Sequence, residues 1–346
     1  MKKILVLELW GIGDATLMTS ALQGFISDGW NVTILAKPQT RLLLHPVFPQ
    51  VKFIEFDAPW TAFRGKYRLW RWPWSTLGQL LAAVRREQFV AAVSIRSDPR
   101  DHLLMWLAGI PRRIGFVHPL SRWTLNEPMP ARDPDAHRVE DWWKLQDRVV
   151  GTASTHHLPR MTVDVALVEK LRAQLGRDAR PMVALHCGAR IAVRRWPEGY
   201  FRQLIVSLRE KFDFQLVLIP DPDGYGSSLR DLADHTFSEL SLADLLALLS
   251  CADQVICNDS GPCHLAAALG VPVVAFFGPQ RPELFRPFGH NHLVVIRDIC
   301  PLRPCSDYCR FPENYCLTKL VPASACPEIE SYLLNEKRLP LKVPLS

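Results

Sequence analysis

Residues 255–278, VICNDSGPCHLAAALGVPVVAFFG, decide the fold. An aliphatic run stops at a polar turn, Asn258-Asp259-Ser260-Gly261-Pro262; a helical stretch follows, and a second aliphatic run, Val271 to Phe276, comes straight after Gly270. Strand, turn, helix and strand in so short a span make a parallel crossover, because strands joined through a helix run the same way. The turn then lies at the carboxyl end of its strand, where open α/β sheets take their ligands. Pro262 suits a first helical turn, and the amides around Ser260 and Gly261 offer a seat for an anion, naturally a phosphate-bearing ligand. Asp259 and Ser260 serve equally as a plain helix cap, and the segment alone leaves both roles open.

The same rhythm extends outward. Ile4 to Leu9 is an aliphatic strand, followed by Gly11 and Gly13, a helix from about Ala15 to Ser27, and the strand Asn31 to Leu35. Val51 to Phe56, Val90 to Ser94 and Ile114 to Phe116 read as further short strands, with helical patterns at Ser75 to Glu87 and His102 to Ala108. A helical, polar bridge from about Asp133 to Arg180 leads to a second strand set: Pro181 to His186, Phe214 to Ile219, Gln254 to Cys257 and Val271 to Phe276. The expected class is α/β, with two Rossmann-like, doubly wound parallel-sheet domains facing a central cleft. We place them at residues 1–165 and 166–325, with 326–346 as a last helix and tail packing back on the first domain.

Length and composition agree. A chain of 346 residues exceeds one ordinary core, and 48% hydrophobic with 22% charged residues describes a soluble globular protein. No apolar run reaches the roughly 18 to 20 residues of a spanning helix, and the opening MKKILVLELWGIGD turns on glycine instead of offering a signal-peptide cleavage site, so the expected location is the cytosol. A formal charge of +6 with 11 Trp fits an anionic partner without naming it. Nine cysteines, an odd number, with Cys187, Cys251, Cys257 and Cys263 in core segments, read as reduced thiols.

The order of motifs resembles the heptosyltransferase family of GT-B glycosyltransferases. Gly13-Asp14 with Leu17, Thr19, Ala21 and Leu22, then His186-Cys187-Gly188-Ala189 leading to Arg195-Trp196-Pro197, then Asp259-Ser260-Gly261-Pro262 with His264, then Gly270-Val271-Pro272 and Phe277-Gly278-Pro279 carry the resemblance across nearly the full length. It implies an acceptor-binding first domain and a nucleotide-sugar-binding second domain. The implied reaction is metal-independent, inverting transfer of a heptose from ADP-heptose to a lipopolysaccharide inner-core acceptor. No cofactor is required, and the place of work is the inner face of the cytoplasmic membrane. Other readings are a GT-B transferase using another nucleotide sugar or a protein or natural-product acceptor, and a non-catalytic nucleotide-sugar-binding protein. A nicotinamide fingerprint fails, because Thr16 stands where the third glycine of G-x-G-x-x-G belongs.

Glycosyl transfer needs a base for the acceptor hydroxyl and a site that stabilises the departing diphosphate. By resemblance Asp14 is the base, with Gly13 beside the acceptor; as a bare residue type, Asp14 also reads as an N-cap on the following helix. Arg195, or its neighbour Arg194, matches the family's basic contact to the donor phosphates, and a guanidinium suits bidentate phosphate binding. The resemblance further implies that the Ser260 and Gly261 amides hold the diphosphate, that Asp259 accepts hydroxyls of the sugar, and that Asp223 contacts the ribose. His264, one turn further on, is assigned to the donor side; a lone helical histidine is commonly a packed residue.

Three stretches carry rival readings. Residues 60–74, WTAFRGKYRLWRWPW, interleave aromatics with Arg64, Lys66, Arg68 and Arg71: either a dock for a lipid-linked acceptor at the membrane surface or a packed loop with snorkelling arginines. Nucleic acid is not expected, since no binding-module signature accompanies them. Asp221-Pro222-Asp223 reads as a divalent-metal triplet or as a turn, and Asp133-Pro134-Asp135 repeats it away from any strand. Cys300, Cys305, Cys309, Cys316 and Cys326 lack C-x2-C spacing; Cys305, Cys309, Cys316 and Cys326 are the candidate metal cluster, against stray thiols or a local disulfide.

Overall fold

Aliphatic runs bounded by polar turns become the interior strands of two parallel sheets. The structure, a computed structural model, describes residues 2–62, 65–151, 154–176, 178–237, 239–336 and 338–342. The chain divides into two compact units, residues 1–160 and 161–346.

In the first unit, β1 (Lys3–Glu8), α1 (Ile12–Ser27), β2 (Asn31–Ala36), α2 (Pro38–Leu44), β3 (Lys52–Glu55), α3 (Trp74–Glu87), β4 (Ala91–Ser94), α4 (Pro99–Leu107), β5 (Arg112–Phe116), β6 (Glu127–Met129) and α5 (Arg138–Val150) follow in order. The sheet runs β3-β2-β1-β4-β5-β6, all parallel. Ile4 to Leu7 are fully buried because helices cover both faces of this strand. On one face Leu5, Leu7 and Ala92 pack with Leu80, Val84, Leu104 and Met105 of α3 and α4.

The second unit contains α6 (Val165–Leu175), β7 (Met182–His186), α7 (Glu198–Lys211), β8 (Gln215–Leu218), β9 (His235–Thr236), α8 (Leu242–Cys251), β10 (Gln254–Asn258), α9 (Gly261–Ala268), β11 (Val273–Phe276), α10 (Pro282–Phe285), β12 (His292–Val295), α11 (Tyr315–Thr318) and α12 (Pro322–Asn335). Its sheet, β12-β11-β10-β7-β8-β9, repeats the first order with all strands parallel. Both sheets therefore reverse their winding beside the first strand of the unit, between β1 and β4 and between β7 and β10. That reversal opens a crevice at the strands' carboxyl ends. The last helix, assigned from sequence to residues 326–346, begins at Pro322, and its Ala325, Cys326, Ile329 and Leu333 belong to the second unit's core.

Trp196 anchors that core. Its ring stacks on Phe276 at 4.1 Å and 13° and meets Phe201 edge-on at 4.8 Å, while its indole N–H donates to the Leu320 carbonyl at 2.7 Å. A fully buried indole with its polar edge satisfied contributes both apolar area and order. Replacing Trp196 with Ala should lower unfolding free energy by about 3–5 kcal/mol, the usual cost of truncating a large core aromatic. A urea midpoint equal to that of the parent would contradict this packing.

Candidate functional site

The second unit's crevice is built around Asn258, the last residue of β10. Its Oδ1 accepts the Trp196 backbone N–H at 3.0 Å and its Nδ2 donates to the Cys187 carbonyl, so one buried amide ties together the ends of β7 and β10 and the approach to α7. Asp259 and Ser260 follow. Ser260 occupies the N-cap position of α9, yet its hydroxyl donates back to the Asn258 carbonyl at 3.1 Å and makes no cap bond. Among the described residues neither the Ser260 nor the Gly261 amide donates to a backbone carbonyl, which leaves the helix start with two N–H groups and its positive dipole end for an anion.

Two guanidiniums stand beside it. Arg194 pairs with Asp259 at 3.3 Å and Asp307 at 2.7 Å. Arg195 donates to the Ala189 carbonyl at 2.7 Å, pairs with Asp223 at 2.7 Å and Asp221 at 3.5 Å, and lies 4.8 Å over the Tyr225 ring. The Tyr225 hydroxyl in turn donates to the Trp196 carbonyl at 2.9 Å. Gly188 is required here: a Cβ would come within 2.0 Å of an Asp221 carboxylate oxygen. Burial, helped by the Arg195 charge, depresses His186 to about 4, so this imidazole is neutral and adds no charge. His264 is buried in α9.

The first unit's crevice is dominated by charge buried near Asp14. Helix α1 begins at Ile12 with Gly11 as N-cap, and the Ala15 N–H already donates to the Gly11 carbonyl at 3.0 Å. Gly13 and Asp14 thus sit inside the first turn, and the capping role that sequence allowed Asp14 falls to the Gly11 backbone. Glu8, at the end of β1, is 1% exposed and accepts the Trp10 N–H at 2.9 Å. Burial and then the Asp14 charge raise it from an ordinary 4.5 to about 8, against the opposing pull of the Trp10 amide, Arg96 and Arg138. The Trp10 ring carries two cations, Arg96 at 5.4 Å and Arg138 at 5.1 Å. Arg132 completes the basic set: burial first and Arg138 second pull it to about 9, still protonated at neutral pH.

Beside these residues opens a pocket of about 590 Å³, lined among others by Trp10, Lys66, Tyr67, Trp72, Arg96 and Arg100. The tryptophan-rich stretch divides at its edge. Trp60 is buried and donates to Asp101 at 2.8 Å, and Trp72 lies between Trp60 and Trp74 with centroids 5.5 and 5.6 Å away. Tyr67, Leu69, Trp70 and Trp74 are exposed, as are Arg68 and Arg71. Lys66 lines the pocket and lies 5.3 Å over Tyr67; Arg64 falls outside the described residues.

Residues 78–314 match the family model for glycosyltransferase family 9 (heptosyltransferase). The chain belongs to glycosyltransferase family 9. It is 24% identical over 238 residues to lipopolysaccharide heptosyltransferase 2 of Escherichia coli K12, covering 62% of this chain and 66% of that one. With lipopolysaccharide heptosyltransferase 1 of Pseudomonas aeruginosa PAO1 it shares 27% over 212 residues, 54% of this chain and 58% of that one. The aligned stretch spans less than two thirds of either relative. The solved E. coli ADP-heptose lipopolysaccharide heptosyltransferase II superposes with a TM-score of 0.72 at 21% identity, over 97% of this chain and 100% of that one, which establishes the GT-B fold.

Within this family-9 chain the two acidic triplets have local partners. Asp221 and Asp223 both face Arg195, and the Asp223 carboxylate accepts the Tyr225 N–H at 3.0 Å; Asp133 accepts the Asp135 N–H at 2.9 Å in a turn. All nine cysteines are free thiols, so the local disulfide does not form. Cys326 stands apart from its expected companions: Glu330, Ser207 and Lys211 surround it, whereas Cys305 feels Cys309 and Cys300, and Cys316 feels Cys305 and Cys300. Among the described residues no group of three or more His, Cys, Asp or Glu is placed to hold a metal ion.

Sequence reasoning missed Glu8, Arg96, Arg132, Arg138 and Asn258. Glu8 was legible in principle as a lone acid in an aliphatic strand, since a fully buried carboxylate is rare without a task. Because Glu8 keeps its proton up to about 8 in the fold but loses it near 4.5 when unfolded, its stabilising effect is complete below 4.5 and disappears as pH rises toward 8. Glu8→Gln should therefore gain in melting temperature relative to the parent as pH rises through that interval. A difference that stays constant across it would mean that no buried proton resides on Glu8.

Proposed function

We propose that this family-9 protein is an inverting, metal-independent glycosyltransferase that moves a heptose from ADP-heptose to an inner-core lipopolysaccharide acceptor. The observation that carries the reading is the second unit's crevice, which lies inside the family-matched stretch: two open amides at the start of α9 with Arg194 and Arg195 alongside. Such a set suits a diphosphate, whose charge grows as the sugar departs, because fixed donors and a permanently charged guanidinium need no rearrangement to stabilise it. Names of relatives supply the donor and acceptor: a lipopolysaccharide heptosyltransferase and an ADP-heptose enzyme.

In this reading the Asp14 carboxylate takes the proton of the acceptor hydroxyl as its oxygen bonds to the anomeric carbon. The bond from that carbon to the diphosphate breaks on the opposite face, its electron pair leaves with ADP, and configuration inverts. Ser260, Gly261, Arg194 and Arg195 receive the diphosphate, with the guanidiniums exchanging carboxylate for phosphate oxygens. Asp259 accepts sugar hydroxyls, Asp223 the ribose, and His264 shapes the donor side by packing. Glu8, raised to about 8 by burial and then by the Asp14 charge, is protonated at neutral pH. Acceptor binding falls to Gly13, Lys66, Arg68 and Arg71, joined by Arg96 and Arg100 at the pocket, and the protein works peripherally on the inner face of the cytoplasmic membrane.

The test is acceptor-dependent ADP release from ADP-heptose with heptose-deficient core, in the presence of a chelator, for the parent and Asp14→Asn. The parent should turn over and the variant should lose roughly 10²- to 10⁴-fold in kcat, the range a positioned general base contributes. Undiminished turnover by Asp14→Asn removes the assigned base; exclusive use of another nucleotide sugar removes the donor.

A further inference from the structure

We infer that α4 and the 3₁₀ turn Pro119–Thr124 form a docking face for an anionic lipid bilayer, contiguous with the pocket of the first unit. The inference extends the proposed lipid-linked acceptor, on which it rests, to a surface outside the tryptophan-rich stretch.

Helix α4 is amphipathic in an unusual sense. Its inner side carries Asp101, His102, Leu104 and Met105, all buried. Its outer side presents Leu103, Trp106 and Leu107, at i, i+3 and i+4, with 37%, 43% and 39% of their surface exposed. The neighbouring turn adds Leu120 and Trp123, 74% and 63% exposed, and Trp106 and Trp123 meet edge-on at 5.3 Å. Contiguous apolar surface of this kind on a water-facing helix marks an interaction site more often than chance exposure.

The ridge is firmly held. The His102 ring joins the turn and the strand end through Ser121 Oγ at 2.8 Å and the Arg96 carbonyl at 3.0 Å, Asp98 caps α4, and the Trp123 indole donates to the Leu120 carbonyl at 3.2 Å. Burial keeps His102 neutral by lowering it to about 4. Indoles fixed in this way enter the headgroup layer with little entropy left to lose.

Charge selects the occupant. Residues 58–125 contain eleven Lys and Arg against three Asp and Glu, a formal +8 within a chain of +6, so the remainder of the protein is net acidic. The three acids are already engaged: Glu87 with Lys3, Asp98 with Arg96 and Arg100, and Asp101 buried against Arg96. Arg68 and Arg71 of the tryptophan-rich stretch, Arg122 of the turn and Arg85, which donates to the Leu107 carbonyl, remain exposed. Basic heads around apolar and aromatic rings fit anionic headgroups, each near-surface cation contributing about 1 kcal/mol. Among the described residues no helix is long and apolar enough to cross a membrane, so the contact is one of lying on the surface.

Continuity with the pocket gives the face its use. Tyr67, Leu69 and Leu120 line the pocket and are themselves exposed at 74%, 51% and 74%, and Arg100 of α4 lies 5.9 Å over Tyr67. A protein resting on this ridge presents the pocket mouth to the headgroup layer, where the sugars of a lipid-linked acceptor stand.

The full chain is sedimented with vesicles of phosphatidylcholine alone and with about one third phosphatidylglycerol, comparing the parent with Trp106→Ser/Trp123→Ser. The parent should pellet with the anionic vesicles and be released by salt. The variant should bind ~10-fold or more weakly through loss of two interfacial indoles, while keeping the parent's melting temperature and its turnover on a water-soluble, delipidated acceptor. Equal binding by parent and variant overturns the inference, as does a parent that ignores anionic vesicles. A concentration-dependent dimer in the parent that the variant lacks also overturns it, because a second copy then covers the ridge. A chain inert toward every sugar donor that still needs Trp106 and Trp123 for vesicles sinks the transferase reading alone.

Discussion

The carboxamide of Asn258 holds the second unit's crevice together. A side-chain amide has one acceptor and one donor end, and here both are used within the backbone, on the Trp196 N–H and the Cys187 carbonyl. In a fully buried site such a group is costly unless both ends are satisfied, so its geometry admits little slack. Three loops from different parts of the sequence are thereby fixed at one edge of the sheet. Arg194 and Arg195 immediately precede the residue it grips, and Asp259, Ser260 and Gly261 immediately follow Asn258 itself. The stacked Trp196 and Phe276 rings beneath supply the rigid floor.

The first unit gathers several cations around the carboxyl groups of Glu8 and Asp14. Arg96, Arg132 and Arg138 would on their own hold nearby acids ionised and tightly paired. Much of their charge is balanced elsewhere: Asp98 and Asp101 for Arg96, Asp141 for Arg132 and Arg138. Trp10 receives two of the guanidiniums on its ring, an interaction that neutralises no acid. Glu8 then retains its proton through burial, with the neighbouring Asp14 charge adding to the shift.

Much of this was legible in the chain. Interior strands such as Ile4 to Leu7 and Val255 to Cys257 are continuous aliphatic runs, and parallel strands buried on both faces must read that way. The strands that escaped notice, β6, β9 and β12, are edge strands of two to four residues, and short edge strands carry little pattern. Ser260 follows its strand on a polar turn, as the motif reads, whereas Asp14 lies inside the first turn of α1. What sequence could not supply was long-range pairing. Asn258 read as one more turn residue because its partners lie 62 and 71 positions away. Cys326 was grouped with the late cysteines by proximity in the chain, although the last helix turns it toward Glu330 and Lys211. Asp14 looked like a cap because the helix was started too late; Gly11 begins it without a side chain.

A crystal structure of this chain with ADP shows whether the crevice organised by Asn258 receives the diphosphate of a nucleotide sugar. Phosphate oxygens should lie about 3 Å from the Ser260 and Gly261 amides, within ordinary hydrogen-bond range, with a guanidinium of Arg194 or Arg195 turned from its carboxylates onto them. ADP seated elsewhere, for instance against Trp10 and Arg96 in the first unit, with Arg194 and Arg195 still on Asp259 and Asp223, would contradict that placement.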